Sequence, residues 1–269
     1  MAQWSSKLGF IFASIGAAVG LGNIWRFPVQ VQQNGGGAYL IPYLLVVIFF
    51  GITLMIVEIG GGRKWGVDVV SIFEEKNNGW MGWVIVLVVT LILSYYMVIQ
   101  GWIIAFVPIA LTGFSVSFEA LSQTYWTPVL FVISLAASGA IVMFDIEDGI
   151  ERVASVLIPL VFLLILGLVV YAFSLPNYGE ALNYYLRPDL SVVTDVGLWS
   201  AAFGQAFFSL ALGHGILLTY GTYLGEKTNV TTTSIIITAA NFLVAFFVGL
   251  VIFPFIFAAN VDPANIEAG

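Results

Sequence analysis

The chain has 269 residues, of which 60% are hydrophobic and 9% charged, and it carries a net charge of −7. Such a composition cannot clothe a soluble globule in polar surface, so the chain is expected to live in lipid. It has no cysteine, which excludes disulfides, thiolate metal sites and cysteine nucleophiles.

Apolar stretches of about 20 residues, enough to cross a bilayer, predict seven segments at 8–33, 38–60, 83–111, 127–144, 153–175, 198–224 and 234–259. The first contains GAAVGLGNIWRFP, Gly16 to Pro28. Its glycines Gly16, Gly20 and Gly22 loosen the backbone, and Asn23 and Arg26 fall at bilayer depth. Freed backbone is tolerated in a membrane only inside protein or beside a wet cavity, so the stretch is a candidate ion or substrate site. The competing reading is that these glycines only let helices pack closely.

The second segment places Glu58 in the membrane, which is costly unless the carboxylate accepts hydrogen bonds. The third carries the run SYYMVIQGW, Ser94 to Trp102, whose tyrosines are explained equally well by aromatic packing or interfacial anchoring. Asp145, Glu147, Asp148 and Glu151 read as a solvated loop rather than a divalent-cation site. The sixth segment repeats the oddity of the first: FGQAFFSLALGHGILLTY sets Gln205, Ser209 and His214 at membrane depth, with Gly213 and Gly215 loosening the helix. The seventh carries Asn241. Two glycine-interrupted segments five helices apart are the trace expected of an inverted repeat whose broken helices meet at the membrane midplane. Their half-helix N-termini would offer amides to a carboxylate and their C-termini carbonyls to a cation.

Lys7, Arg63, Lys64, Lys76, Arg152 and Lys227 all fall on the side of the N-terminus, with Arg187 opposite, so the N-terminus is expected in the cytoplasm. The sequon Asn229-Val230-Thr231 then lies in a cytoplasmic loop and reads as a chance match. The chain has one histidine and no metal-ligand spacing, and its GLGN run lacks the strand and third glycine of a dinucleotide loop. An enzyme is therefore not expected. A passive channel would need a continuous polar pore, and the segments provide only a central polar cluster.

GAAVGLGNIWRFP is followed in order by NGGGA (Asn34 to Ala38), IPY (Ile41 to Tyr43), Glu58, Gly62-Arg63, SYYMVIQGW, GQAFFSLALG and Asn241. This series resembles the neurotransmitter:sodium symporter family, in its bacterial and archaeal amino-acid branch, over nearly the whole chain. The resemblance implies an all-α membrane protein of about seven transmembrane helices with an inverted-repeat fold. The first five-helix repeat would occupy 1–175, an extracellular loop 176–197, and the first two helices of a second, truncated repeat 198–269, with helices one and six unwound at the midplane. It further implies sodium-coupled symport of an amino acid by alternating access, in the plasma membrane and surrounded by lipid, with no nucleic-acid partner. Because members usually have about twelve spans, the missing helices would come from a second polypeptide or another protomer. The alternative is a non-transporting half or one subunit of a split transporter.

The resemblance also implies roles for individual residues. A first sodium ion would be held by the Ala18 carbonyl, Asn23, Ser209 and Asn241, with the substrate carboxylate joining them; neutral oxygens suit a hard cation. A second would use the carbonyls of Gly16 and Val19. The substrate carboxylate would meet Tyr96 and the amides of Leu21 and Gly22, and Ala17, Ala18, Ile92, Phe208, Ser209, Ala211 and His214 would line the rest of the pocket. Monoamine carriers of the family have an aspartate where this chain has Gly20, which favours a substrate bringing its own carboxylate. Glu58 would brace the unwound sixth helix. Arg26 and Gln205, with Phe208 as lid, would form the outer gate, and Trp4 and Tyr223 the inner one. Chloride is undecided: Tyr43, Gln205 and Ser209 match anion-binding positions, whereas Ala245 supplies neither the serine of chloride-dependent members nor the carboxylate of independent ones.

Overall fold

The computed structural model describes residues 3–113, 118–123, 125–261 and 263, and among them every regular element is helical. The chain forms two compact units: Gln3–Asp68 together with Ala154–Gly269, and Val69–Val153.

The first unit begins with α1 (Lys7–Ala18), whose N-cap hydroxyl, on Ser6, accepts from the Gly9 amide at 2.9 Å. Its end is decided by Val19, which turns extended. The chain resumes in a π-turn over Gly22–Arg26 and continues as α2 (Phe27–Gln33), with Pro28 in the first turn where a missing amide hydrogen costs little. The predicted first segment is thus two helices bent by 53°. Gly35 and Gly36, at φ 83° and 64°, then turn the chain into a 30-residue helical run, Gly36–Trp65. That run contains α3 (Leu40–Val46), a π-turn over Val47–Gly51 and α4 (Ile52–Trp65), and it stops at the left-handed Gly66.

The second unit holds α5 (Val69–Glu74), α6 (Gly79–Thr112), α7 (Phe118–Ser122) and α8 (Thr127–Val142). Helices α6 and α8 meet at Gly101, where a Cβ would lie 2.7 Å from the Leu130 carbonyl. Polar side chains fasten the seam: Gln100 Nε2 donates to Ser138 Oγ at 3.2 Å and Trp102 Nε1 to Thr127 Oγ1 at 3.2 Å. At 16 residues, α8 is about 24 Å long, shorter than the predicted fourth segment and than a bilayer core of about 30 Å.

Most of α9 (Arg152–Ala172) returns to the first unit, followed by α10 (Tyr178–Leu186), α11 (Val196–Ser209), α12 (Ile216–Thr222) and α13 (Val230–Ala258). The predicted sixth segment is divided between α11 and α12 by a non-helical link at 210–215. Segments two, three, five and seven are continuous helices of spanning length. Asn229, the sequon residue, is the N-cap of α13: its Oδ1 accepts from the Thr232 amide at 3.0 Å.

Close contacts position the broken helices. Gly62 on α4 faces the Leu218 carbonyl and Gly221 on α12 faces the Ile59 carbonyl, so that any Cβ at either position would strike backbone. This small-residue seam lets two membrane helices approach without a hydrophobic driving force between them. An aromatic cluster of Phe27, Tyr39, Tyr43, Tyr185 and Phe253, all fully buried, knits α2, α3, α10 and α13 together. Tyr185 lies against Gly249, and its hydroxyl donates to the Phe246 carbonyl at 3.0 Å. Burial, and after it the neighbouring Tyr43, push that hydroxyl well above its ordinary range, so it remains a donor. On α9, Ile165 and Val169 pack on Val244 and Val248 of α13, while Leu163 and Val170 stay exposed as a lipid-facing surface requires.

Candidate functional site

The break after α1 leaves the Ala18 carbonyl without a helical successor to bond. Asn23 staples the loop: its Oδ1 accepts from the Gly20 amide at 3.1 Å, and its own amide donates to the Gly20 carbonyl at 3.0 Å. From the other side of the loop, Asn23 Nδ2 donates to the Asn241 carbonyl at 3.0 Å and to Asn241 Oδ1 at 3.1 Å. Asn241 is the centre of the knot. Its Oδ1 also accepts from Ser209 Oγ at 2.9 Å, while its Nδ2 donates to the carbonyls of Ala18 at 3.1 Å and Ser209 at 2.9 Å. Asn23, Ser209 and Asn241 are all buried. The four residues read as first-ion ligands in the sequence therefore come together in the first unit.

This donor set fits a sodium ion by its chemistry. Every available ligand is a neutral oxygen, as a hard cation prefers and as a buried site without counter-charge requires. Two carbonyls from different broken helices, those of Ala18 and Ser209, converge on one electropositive group, the Asn241 amide. Convergent carbonyls at helix C-termini are what a cation site needs. Ala18, Asn23, Ser209 and Asn241 would hold the ion, and its positive charge is the chemistry it would supply there.

Above this knot, Gln205 Nε2 donates to the Gly22 carbonyl at 2.7 Å, tying α11 to the π-turn. Arg26 Nη1 donates to Gln205 Oε1 at 3.1 Å and to the Gly204 carbonyl at 3.2 Å, and its guanidinium lies 4.9 Å from the centre of the Phe208 ring. The ring rests against Gly22, where a Cβ would be 3.1 Å from Phe208 Cδ1. The gate residues expected at the outer side thus form one cluster, and among the described residues no carboxylate pairs with Arg26 there.

The link at 210–215 is held open by left-handed residues: Ala211 at φ 52°, Gly213 at 80° and Gly215 at 73°. Glu58 Oε1 accepts from the Gly213 amide at 2.6 Å, and Oε2 is buried with no hydrogen-bond partner. His214 is half-buried beside it in sequence. On the opposite side, Trp4 Nε1 donates to the Tyr220 carbonyl at 3.0 Å and its ring meets that of Tyr220 at 5.2 Å, whereas Tyr223 contributes only its carbonyl, to the Trp4 amide at 3.3 Å. Tyr220, one turn before the expected Tyr223, is the aromatic that sequence reading missed. It also missed the carbonyls of Gly22, Gly204 and Ser209, because backbone groups leave no mark on residue identity.

The other expected site residues are placed as follows. Gly16 is exposed on α1, and Ala17, Val19 and Leu21 are half-buried around the break. No side chain or backbone atom stands within 4 Å of a Cβ built on Gly20. Ile92 and Tyr96 lie on α6 in the second unit, both half-buried. At the anion positions, Tyr43 lies beside Ser209, but its hydroxyl completes no hydrogen bond of good geometry. Gln205 Nε2 and Ser209 Oγ are already engaged, and Ala245 is fully buried.

The profile of the Sodium:neurotransmitter symporter family matches residues 1–130 and 113–268. An uncharacterized sodium-dependent transporter of Methanocaldococcus jannaschii is 35% identical, over 93% of this chain and 55% of its own length. A sodium-dependent neutral amino acid transporter of Bos taurus is 27% identical, over 96% of this chain and 41% of its own. The crystal structure of MhsT in complex with L-phenylalanine superposes with a TM-score of 0.89 at 34% identity, covering 99% of this chain and 64% of that one. The chain thus spans about half the length of the curated relatives it matches.

Proposed function

Since the chain belongs to the Sodium:neurotransmitter symporter family, a family of transporters and not of enzymes, we propose that it carries the ion and substrate core of a sodium-coupled amino-acid symporter. The observation that supports this reading most is the knot of Ala18, Asn23, Ser209 and Asn241, which joins both broken helices through neutral oxygens and amides. In the proposed cycle, these residues hold sodium and share it with the substrate carboxylate, which the Leu21 and Gly22 amides orient. The second ion would rest on Gly16 and Val19. Ala17, Phe208, Ala211 and His214 would contact the substrate body.

Gly20 supports an amino acid over an amine. A Cβ at this position would meet open space, so the site has room where a side-chain carboxylate could stand, and in the proposed reading the ligand supplies that carboxylate instead. MhsT, 34% identical, is described in complex with L-phenylalanine, which agrees with that class. The Arg26, Gln205 and Phe208 cluster would close the pocket from outside and Trp4 with the α12 end from inside, the cytoplasmic side by the loop cations. Rocking of the first repeat against a completed second repeat would supply alternating access. For chloride, the Ser209 hydroxyl donates to Asn241 Oδ1 and Gln205 Nε2 gives one N–H to the Gly22 carbonyl, which leaves the second Gln205 N–H and the Tyr43 hydroxyl as donors.

The test is reciprocal coupling. If sodium and the amino acid share a site, sodium tightens amino-acid binding by the same factor by which the amino acid tightens sodium binding. Both factors are measured by equilibrium binding on the purified chain in nanodiscs, in sodium against potassium. Equal affinity in the two salts would overturn the reading.

A further inference from the structure

The charges of the first unit are divided between its two ends. Arg63 and Lys64 stand where α4 stops, and Lys227 stands where the chain passes from α12 to α13. The start of α1, with Lys7, is brought to the same end by Trp4, whose amide donates to the Tyr223 carbonyl at 3.3 Å. These four cations share that end with two carboxylates, Asp68 and Glu226. The other end lies about 43 Å away along the 29-residue α13. There Asn177 Nδ2 donates to the Phe257 carbonyl at 3.2 Å, and the neighbouring segments carry Glu180, Asp189 and Asp195 against Arg187. Among the described residues, one end of the unit is thus net positive and the other net negative.

Arg63 fixes the positive end. Its Nη1 donates to the Thr228 carbonyl at 2.6 Å, which holds the end of α4 against the loop that carries Lys227. The residues next to this contact in sequence, Lys64 and Lys227, are both exposed. Lys64 Nζ lies 5.9 Å from the centre of the Trp65 ring, and Trp65 and Val67 are 40% and 42% exposed. An exposed tryptophan beside a lysine at the end of a membrane helix suits headgroup depth, where the ring lies in the interface and the ammonium reaches phosphate. A free phosphate would use the lysines and leave Trp65 and Val67 wet, whereas a phospholipid uses both. We propose that this end binds an anionic phospholipid, its phosphate between Lys64 and Lys227 and its glycerol and upper acyl chain along Trp65 and Val67. The bound lipid fastens α4 to the loop between α12 and α13 without touching the ion or substrate residues. The site does not depend on the proposed transport function.

The test is native mass spectrometry of the full chain, delipidated in a neutral detergent and titrated with phosphatidylglycerol or, in parallel, with zwitterionic phosphatidylcholine. The dissociation constant of the first lipid adduct is read in each series. Phosphatidylglycerol should bind more tightly than phosphatidylcholine. Lys64→Gln and Lys227→Gln should each weaken its binding about fivefold, the contribution of one cation near an anionic headgroup, and leave phosphatidylcholine unchanged. Arg187→Gln, at the opposite end, should change neither lipid. Glycerophosphate, the same anion without acyl chains, should not displace the lipid at equal concentration, and displacement would make the site one for a soluble anion and overturn the proposal. Equal affinity for the two lipids, phosphatidylglycerol binding unchanged in either lysine variant, or an equal loss in Arg187→Gln would overturn it as well. Thermal unfolding verifies that each variant is folded, and should one lysine variant misfold the other carries the test.

Discussion

Replacing Asn241 by aspartate separates a cation site from a merely structural hydrogen-bond knot. Asn241→Asp keeps the oxygen that accepts from Ser209 Oγ and Asn23 Nδ2, but it removes the Nδ2 donor and sets a carboxylate oxygen against the carbonyls of Ala18 and Ser209. Two intramembrane hydrogen bonds disappear, at about 0.6 kcal/mol each by the average for such bonds. Two buried carbonyls are then left facing negative charge, which adds about 1–3 kcal/mol apiece. The variant should therefore be less stable than wild type by roughly 3–7 kcal/mol in potassium. Sodium changes the sign of the new contacts: an ion between a carboxylate and two carbonyls is better held than one between an amide and the same carbonyls. At a sodium concentration of about 100 times the dissociation constant, binding restores about 2.7 kcal/mol. The assay is thermal unfolding followed by intrinsic tryptophan fluorescence in matched sodium and potassium buffers. Wild type should gain stability in sodium, and Asn241→Asp should gain more. A variant equally destabilised in both salts, beside a wild type indifferent to them, would falsify the ion-site reasoning and leave Asn241 as a structural fastener.

Gly20→Asp should fold normally, since its Cβ enters open space, and should shift binding from amino acids toward amines lacking a carboxylate, as read by competition across a panel of both; unchanged ranking would disconnect Gly20 from the substrate. Gly62→Val should lower the unfolding temperature by an amount corresponding to about 2–3 kcal/mol, because the new side chain meets the Leu218 backbone and must part α4 from α12; a neutral result would show that the seam yields. Glu58→Gln retains an acceptor for the Gly213 amide and should cost less than Glu58→Leu, which orphans that amide; equal losses in thermal stability would point to a need for the charge itself. Single cysteines introduced into this cysteine-free chain near Asn183 should label from outside sealed cells and those near Lys64 or Glu226 should not, and the opposite pattern would invert the assignment of outer and inner gates.

Much of this protein is determined by sequence alone. Composition forces the chain into lipid, and in lipid the backbone must satisfy itself, which leaves helices as the response to long apolar runs. Gly20 and Gly22 after α1 and Gly213 and Gly215 after α11 mark the two breaks in the sequence; only at Gly213 and Gly215 does the backbone take the left-handed conformation that glycine favours, whereas α1 ends where Val19 turns extended. Asn23, Ser209 and Asn241 are legible as candidates because a polar side chain in an apolar helix is costly unless it has a partner. Only the tertiary structure decides who the partners are. Asn241 meets Ala18 across 223 positions and Asn23 across 218, a choice set by how α1, α11 and α13 pack and invisible to local pattern. Trp4 takes Tyr220 rather than the ring of Tyr223 because the α12 helix turns that neighbour, not the other, toward it. The carbonyls of Gly22, Gly204 and Ser209 belong to the same class. A backbone oxygen is common to every residue, and whether one stands free, bonded or facing a cavity is settled by packing and not by the letter in the sequence.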